Sequence, residues 1–245
     1  MKSKPAAHSE IRTSVAVRVG AVTWIVAAVQ FLVVQLIVQS GWRTPYSWAD
    51  NNISDLGNVY CQIADPSRPR YVCSPLHDAM NASFVLHGVL LLAGMLLTGA
   101  CWGRGRISVG SRILFAINAA GWVLVGLVPA DVDENLHLLG ALFIMGLGNI
   151  GLCCAGFVRR DSPFGRLRPI TLAIAAAAVA GALLFFGQVD TGIGMGGQER
   201  VAAFALDVWT LAMAIAILSA STSARRARTI DSGSALTTST RGPNN

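Results

Sequence analysis

The chain has 245 residues, of which 53% are hydrophobic and only 13% are charged, and its formal net charge is +6. A soluble protein of this size and composition would expose large apolar patches, so the composition favours lipid as the solvent. The positive charge does not indicate a nucleic-acid partner, because nucleic-acid binding needs a basic face on a soluble module.

Six apolar runs are each long enough to cross a hydrocarbon core of about 30 Å. They cover residues 20–38, 80–101, 113–129, 137–157, 169–187 and 201–220. Backbone groups in lipid must be hydrogen-bonded within their own segment, and these runs are too long and unbroken to alternate as barrel strands. The sequence therefore predicts an all-α, polytopic membrane protein, built as a six-transmembrane-helix bundle.

The basic residues are sorted to one side of these runs. Fifteen lie at the N-terminus, in the second and fourth loops or in the C-terminal tail: Lys2, Lys4, Arg12, Arg18, Arg104, Arg106, Arg112, Arg159, Arg160, Arg166, Arg168, Arg225, Arg226, Arg228 and Arg241. Only Arg43, Arg68, Arg70 and Arg200 lie on the other side. Because short cytoplasmic loops carry an excess of Lys and Arg, both termini are predicted to be cytoplasmic.

The predicted domains follow from these spans. Residues 1–19 form a basic cytoplasmic N-terminus, residues 20–220 the membrane domain, and residues 221–245 a disordered cytoplasmic tail. The first span is longer than the apolar core of a cleaved signal peptide, which favours a retained anchor. The only sizeable soluble element is the outer loop 39–79.

Cys61 and Cys73 both lie in this outer loop and would close a ring of about 13 residues. A disulfide between them is expected on an oxidising side of the membrane, where it would stabilise the loop by about 3 kcal/mol. The alternative, a pair of metal ligands, does not fit a common zinc spacing.

Polar residues collect at the predicted outer ends of the helices. They are Asp55, His77, Asp78, Asn81, Asp131, Asp133, Glu134, His137, Asp190, Glu199, Arg200 and Asp207. Asp207 is the clearest candidate, because it lies about 10 Å below the start of span six by helical rise. A carboxylate there needs a partner or a water-filled cavity. Arg200 lies two turns above it on the same face. A structural ion pair and a functional acid both remain open.

His137 opens span four, with Glu134 and Asp133 three and four residues before it on the same helical face. An acid beside an imidazole can fix its tautomer and raise its basicity, as a general base requires. Acids at a helix N-terminus are also ordinary partners of the helix dipole, so both interpretations stay open. His77 and Asn81 share a face at the top of span two.

No metal and no cofactor is predicted. A catalytic zinc would need three ligands and an open position, and His77, His137 and either Asp131 or Asp207 are the residues that would have to converge. The sequence contains no HExxH, GxSxG, P-loop or dinucleotide fingerprint. His87, deep in span two, is predicted to be a neutral packing residue.

Several short stretches resemble the bacterial family known as domain of unknown function 998. They are Asn52 to Gly57 (NISDLG), Cys73 to His77 (CSPLH), Met80-Asn81 with Phe84 and Gly88, Gly126 to Pro129 (GLVP) with His137, and Glu199-Arg200 with Trp209. The resemblance covers roughly residues 20–220 and implies six membrane helices in a bacterial envelope. It implies no established activity, so it supplies no catalytic residue. The predicted location is the bacterial cytoplasmic membrane.

Three functions are compatible with these features. The first is an outward-facing polar pocket that binds membrane lipid or an amphiphile, with substrate-binding candidates Asp55, His77, Asn81, Asp131, Arg200 and Trp209. The second is a membrane-embedded enzyme acting on a lipid-phase small molecule, a hydrolase or isoprenoid cyclase with Asp207, His137 and Glu134 as acid and base candidates. The third is a small transporter, for which six spans are few unless the chain forms a homo-oligomer.

Overall fold

The computed structural model describes residues 14–66, 68–189 and 191–239, with side chains as far as Thr222. Its α-helices are α1 (Val15–Ser40), α2 (His77–Leu97), α3 (Arg106–Leu127), α4 (Glu134–Ala141), α5 (Gly148–Ala155), α6 (Arg168–Phe186), α7 (Gly194–Ala203) and α8 (Ala205–Ser239). A π-helical segment, Leu142–Leu147, joins α4 to α5, and two short strands, β1 (Gln62–Ala64) and β2 (Arg70–Val72), pair antiparallel.

The predicted all-α class and the six spans are confirmed. Among the described residues, six helices are long and apolar enough to cross a membrane: Val15–Ser40, His77–Leu97, Arg106–Leu127, Glu134–Ala155, Phe164–Phe186 and Gly194–Thr222. All six begin before the apolar runs do, because polar residues at a membrane interface can continue the backbone hydrogen bonds of a helix. α8 extends to Ser239, although disorder was expected from residue 221; the stretch from Ala205 to Ser239 contains no proline. Residues 1–13 and 240–245 lie outside the described residues.

The spans pack as a closed ring in chain order. α1 packs on α2, α2 on α3, α3 on α4 and α5, α5 on α6, and α6 on α7, while α8 returns to α1. Except for the long loop between α1 and α2, short connections make consecutive spans antiparallel neighbours. The ring has two different ends. We call the end that carries residues 41–76, 128–133 and 187–193 the loop end, and the end that carries residues 98–105 and 156–163 the arginine end.

The outward face of α1 is apolar, as expected for a helix in contact with lipid. Its exposed large side chains are Val15, Val19, Val22, Val26, Val29, Leu32, Val33, Leu36 and Ile37. A face of this size would be a liability in water. The core of the bundle contains instead a cluster of rings at the arginine end: Trp24, Trp102, Phe115, Phe164 and Trp209.

Glycines let the helix backbones approach closely. A Cβ atom at Gly126 of α3 would lie 2.6 Å from the carbonyl oxygen of Asn81 in α2, and one at Gly121 would lie 2.8 Å from the carbonyl oxygen of Gly140 in α4. In lipid no hydrophobic force drives helices together, so close van der Waals packing has to supply the association.

We therefore expect Gly126→Ala to destabilise the bundle by about 1–3 kcal/mol, because the added methyl group meets backbone that has no room to move. The matched control is Gly110→Ala in the same helix, where nothing lies within 4 Å of the added atom. The control should be neutral or slightly stabilising. Unfolding of the purified protein by SDS, followed by tryptophan fluorescence, measures both; equal stability of the two variants would contradict the packing.

Candidate functional site

Arg200 attaches the long loop to the sixth span. Its Nη1 donates hydrogen bonds to the carbonyl oxygens of Trp48 (2.9 Å), Asn51 (2.8 Å) and Gly196 (2.8 Å), and its Nη2 donates to the hydroxyl group of Tyr46. The guanidinium carbon also lies 4.8 Å from the centre of a Trp48 ring, a cation–π arrangement. Only 7% of Arg200 is exposed. Its role in the structure is therefore to hold the loop.

Tyr46 extends this attachment. Burial raises the pKa of Tyr46 above its usual value, against the opposing charge of Arg200, so the side chain keeps its hydrogen. The hydroxyl group therefore both accepts from Arg200 and donates to the carbonyl oxygen of Asn52, at 3.0 Å. One buried hydroxyl thus joins a helix to the segment that contains Asn52 and Asp55.

The glycines at the start of α7 make room for the loop. A Cβ atom at Gly194 or Gly196 would collide with the backbone carbonyl group of Ala49 or Asn51, respectively. The N–H of Gly197 donates to the carbonyl oxygen of Ala49, at 3.2 Å. These glycines therefore have a packing role, because only a residue without a side chain admits the loop backbone at this distance.

Glu199, next to Arg200, makes a second attachment. Its carboxylate accepts a hydrogen bond from the backbone N–H of Ile53, and the residue is 7% exposed. The sequence placed Glu199 among the polar residues at helix ends but did not select it as a site residue. The adjacent pair thus holds two parts of the loop, Arg200 the segment 46–51 and Glu199 the segment that begins at Ile53.

Asp55 is bound by an arginine that the sequence analysis did not select. Arg70 of β2 donates from Nε to Oδ2 of Asp55 (2.8 Å) and from Nη2 to Oδ1 (2.6 Å). Burial lowers the pKa of Arg70, but the hydrogen bond and charge of Asp55 outweigh it, so the net shift is upward. The backbone N–H of Asn52 also donates to Asp55. No sequence motif predicts this pair, because only the β1–β2 hairpin brings Arg70 back to Asp55.

A polar groove of about 590 Å³ opens beside this ion pair, between the hairpin and the segment that precedes α4. Its lining residues are Asn52, Ser54, Asp55, Asn58, Gln62, Ile63, Ala64, Asp65, Pro66, Arg70, Ala130, Asp131, Val132 and Glu134. Four carboxylates and one guanidinium group line it, so the described lining is negative. Asp131 accepts from the backbone N–H of Tyr60 through Oδ2 (2.7 Å), while its Oδ1 has no hydrogen-bond partner.

The other predicted residues divide between different places. Glu134 lines the groove, but His137 does not pair with it: Nδ1 of His137 lies 2.7 Å from the carbonyl oxygen of Val128. Asp133 caps α4 by accepting from the backbone N–H of Leu136. The spacing suggested an acid beside the imidazole, but the hydrogen bonds described for His137 include neither Asp133 nor Glu134. Asp133 caps α4, and Glu134 faces the groove.

His77 and Asn81 hold the loop rather than line the groove. Nδ1 of His77 lies 2.9 Å from the carbonyl oxygen of Ser74, and Nδ2 of Asn81 donates to the carbonyl oxygen of Gly57 at 2.9 Å. Trp209 lies in the ring cluster of the arginine end, where its Nε1 donates to Thr171 at 2.9 Å. These three substrate-binding candidates therefore lie outside the groove.

A second, much smaller cavity of about 30 Å³ lies inside the bundle, with room for about one water molecule. It is lined by Ile53, Ser54, Phe84, Trp122, Val125, His137, Ala141, Ile144, Met145, Glu199 and Ala203. Part of its wall is the π-helical segment, whose Ile144 carbonyl oxygen accepts from Asn118 at 3.0 Å. Wider helical turns of this kind are common at functional sites.

Asp207 does not meet Arg200. Its Oδ1 lies 3.2 Å from Nε2 of His87, in α2. The sequence assigned His87 a packing role and gave no signal of this contact, because the two residues are 120 positions apart and only the packing of α8 in the ring brings them together.

Cys61 and Cys73 are bonded in the structure and tie the two ends of the hairpin together. Within the residues that the structure describes, no group of three or more His, Cys, Asp or Glu side chains is placed to hold a metal ion. Asp190 lies outside the described residues.

Residues 25–216 match the model of a family described as "Protein of unknown function (DUF998)". The chain belongs to this family. The match covers all six spans in whole or in part, together with the loop that forms the groove. No curated protein and no solved structure matches the chain. The family description names no activity.

We expect Arg200→Ala to release the loop from α7, because it leaves the Tyr46 hydroxyl and the carbonyl oxygens of Trp48 and Asn51 without their donor. The cost should be about 2–5 kcal/mol. Arg200→Lys should recover only part of it, since a single ammonium group cannot reproduce the fork of donors. The control is Arg43→Ala, the same loss of charge at an exposed position of the same loop.

Hydrogen exchange of the backbone amides of residues 46–58 measures this release. Exchange should be faster in Arg200→Ala than in Arg43→Ala. Equal protection of this segment in both variants would show that Arg200 does not hold the loop.

Proposed function

We propose that this protein resides in the bacterial cytoplasmic membrane with its loop end outside, and that its polar groove binds the head group of a lipid or other amphiphile. The observation that carries the proposal is the groove itself: about 590 Å³ of polar-lined space directly at the ends of apolar spans. Helix ends lie at the depth of lipid head groups, so a membrane amphiphile reaches this position without leaving the bilayer.

The charges of the groove favour a head group that carries an amine. Asp55 is neutralised by Arg70, with which it forms two hydrogen bonds, and Asp65 lies 3.7 Å from the same guanidinium group. Asp131 and Glu134 remain on the opposite wall with no basic side chain in the lining beside them. An ammonium group placed there would meet two carboxylates, Asp131 and Glu134, which are charge-assisted acceptors for its N–H groups.

The walls of the groove are held firmly enough to preform a site. The hairpin wall is closed by the disulfide and by the Asp55–Arg70 pair, and its base is held to span six through Glu199 and Arg200. A preformed site loses less conformational entropy on binding than a mobile loop does.

The enzyme hypothesis receives less support. Its three candidates lie in different surroundings: Glu134 in the groove, His137 at the small cavity and Asp207 beside His87. The cavity that contains His137 has room for about one water molecule, which is too small for a lipid-phase substrate. A binding role needs only the groove, whereas catalysis needs groups that converge.

The test is lipid binding by the Asp131→Asn/Glu134→Gln double variant, which keeps side-chain size and removes both charges. In native mass spectrometry with phosphatidylethanolamine and phosphatidylglycerol, the wild type should retain the amine lipid preferentially. The double variant should bind it about 10- to 100-fold more weakly, the loss of one or two charge-assisted hydrogen bonds.

The matched control is Asp78→Asn, which removes a carboxylate from the same end of the bundle, where its side chain is 98% exposed and outside the groove. This variant should bind like the wild type. If the double variant retains phosphatidylethanolamine as well as the control does, the groove is not the head-group site.

A further inference from the structure

A histidine and a carboxylic acid face each other near the middle of the bundle. His87 lies about 15 Å along α2 from the first residue of that helix, by helical rise, and is completely buried. Its Nε2 lies 3.2 Å from Oδ1 of Asp207, a residue that is 7% exposed. Neither atom has a hydrogen-bond partner of good geometry. Buried polar atoms without a partner are rare, so this contact requires a physical explanation.

The other ring nitrogen of His87 decides which atoms carry hydrogen. Nδ1 lies 3.1 Å from the carbonyl oxygen of Ala27, in α1. A carbonyl oxygen can only accept, so the hydrogen of this bond is on Nδ1. In a neutral imidazole Nε2 is then an acceptor, and an ionised Asp207 is an acceptor too. Two acceptors 3.2 Å apart repel each other strongly in a low dielectric, unless a proton lies between them.

We propose that His87 and Asp207 form an intramembrane proton-binding site, which holds one proton between Nε2 and Oδ1 in the folded protein. The proton belongs either to a carboxylic acid beside a neutral imidazole or to an imidazolium beside a carboxylate, and the pair is neutral in both forms. If this proton is lost, the pair carries one buried negative charge, and a lone pair on Nε2 of His87 faces a lone pair on Oδ1 of Asp207. The site is separate from the groove and does not depend on the function proposed for it.

The imidazole of His87 has apolar surroundings. The ring of Phe31, in α1, stacks on His87 with 4.4 Å between centroids, and the ring of Trp122, in α3, meets it edge to face at 4.9 Å. These rings exclude water from the imidazole and carry no charge that could stabilise an ionised Asp207. The nearest available compensation for the carboxylate is therefore the proton that it shares with His87.

A space for water lies one helical turn away. Glu199, Ala203 and Asp207 follow one another at intervals of four residues, on one side of α7 and α8. Glu199 and Ala203 line the 30 Å³ cavity, as does Trp122, which contacts His87. The titratable side chains that line this cavity are Glu199, from α7, and His137, from α4. Ionisable groups inside a membrane bundle commonly serve proton transfer, and this arrangement gives the pair an approach from the loop end.

The first test uses the wild-type protein in lipid nanodiscs, with 15N-labelled histidine. The signals of His87 are assigned by comparison with His8→Gln, His77→Gln and His137→Gln variants. At neutral pH, Nδ1 of His87 should carry a hydrogen, and Nε2 should carry one or be strongly hydrogen-bonded. A bare, unbonded Nε2 signal at neutral pH would overturn the proposal without any variant at the pair itself.

The second test is the pH dependence of unfolding in SDS. An unfolded chain holds almost no proton on the pair above about pH 7, because free Asp and His titrate near 3.9 and 6.5. The folded pair holds one, so its stabilising contribution is present at low pH and is lost as pH rises. The unfolding constant of the wild type should therefore increase up to about tenfold per pH unit above pH 7.

Asp207→Asn should remove this dependence, since an amide N–H donates to Nε2 at every pH. Glu199→Gln is the control, because it neutralises the other buried carboxyl group of the sixth span and should retain the wild-type slope. A wild-type slope in Asp207→Asn, or its loss in Glu199→Gln alone, would assign the proton elsewhere. If Asp207→Asn does not fold, the state of Nε2 in the wild type decides the question.

Discussion

The arrangement of the loop end depends on the hydrogen bonds of one buried arginine. Arg200 has almost no contact with water, and its Nη1 and Nη2 groups donate hydrogen bonds mainly to the loop that crosses above them. A buried guanidinium group is costly unless it finds acceptors, so these hydrogen bonds fix the position of a loop that has little regular structure. Glu199 adds a second constraint at Ile53. With both ends of the segment 46–53 fixed to α7, the hairpin and its groove have a defined place on the bundle.

Polar groups in this protein lie in three layers with different surroundings. At the loop end, carboxylates and a guanidinium group line an open groove. Below it, Glu199 and His137 border a cavity of the size of a water molecule. Deeper still, His87 and Asp207 meet among aromatic rings. The loop attachment and the two proposals give these carboxyl groups different roles: proposed recognition of a head group in the open groove, attachment of the loop through Glu199, and proposed retention of a proton between His87 and Asp207.

Some residues of the groove could be predicted from the sequence, and others could not. Asp55, Asp131 and Glu134 were selected from their position at helix ends, and all three line the groove. Arg70 was counted only for topology, although it forms the ion pair with Asp55, because a hairpin contact across 15 residues leaves no spacing pattern in the chain. Trp209 was selected with the motif that contains Arg200, yet it packs among rings at the arginine end, since the helix carries it about 13 Å further along the bundle.

The sequence by itself determined the class of the molecule: six apolar segments, their approximate limits and the small residues that let them pack. These features are local, because the length and polarity of a segment decide whether lipid can be its solvent. The contact partners of the buried polar side chains were decided by the tertiary structure alone. Which loop carbonyl Arg200 meets, which arginine neutralises Asp55 and which imidazole faces Asp207 depend on the closing of the ring by α8 against α1 and on the folding of the loop over α7. The energy of a charge in a membrane depends on its nearest neighbours in space, and those neighbours are remote in sequence.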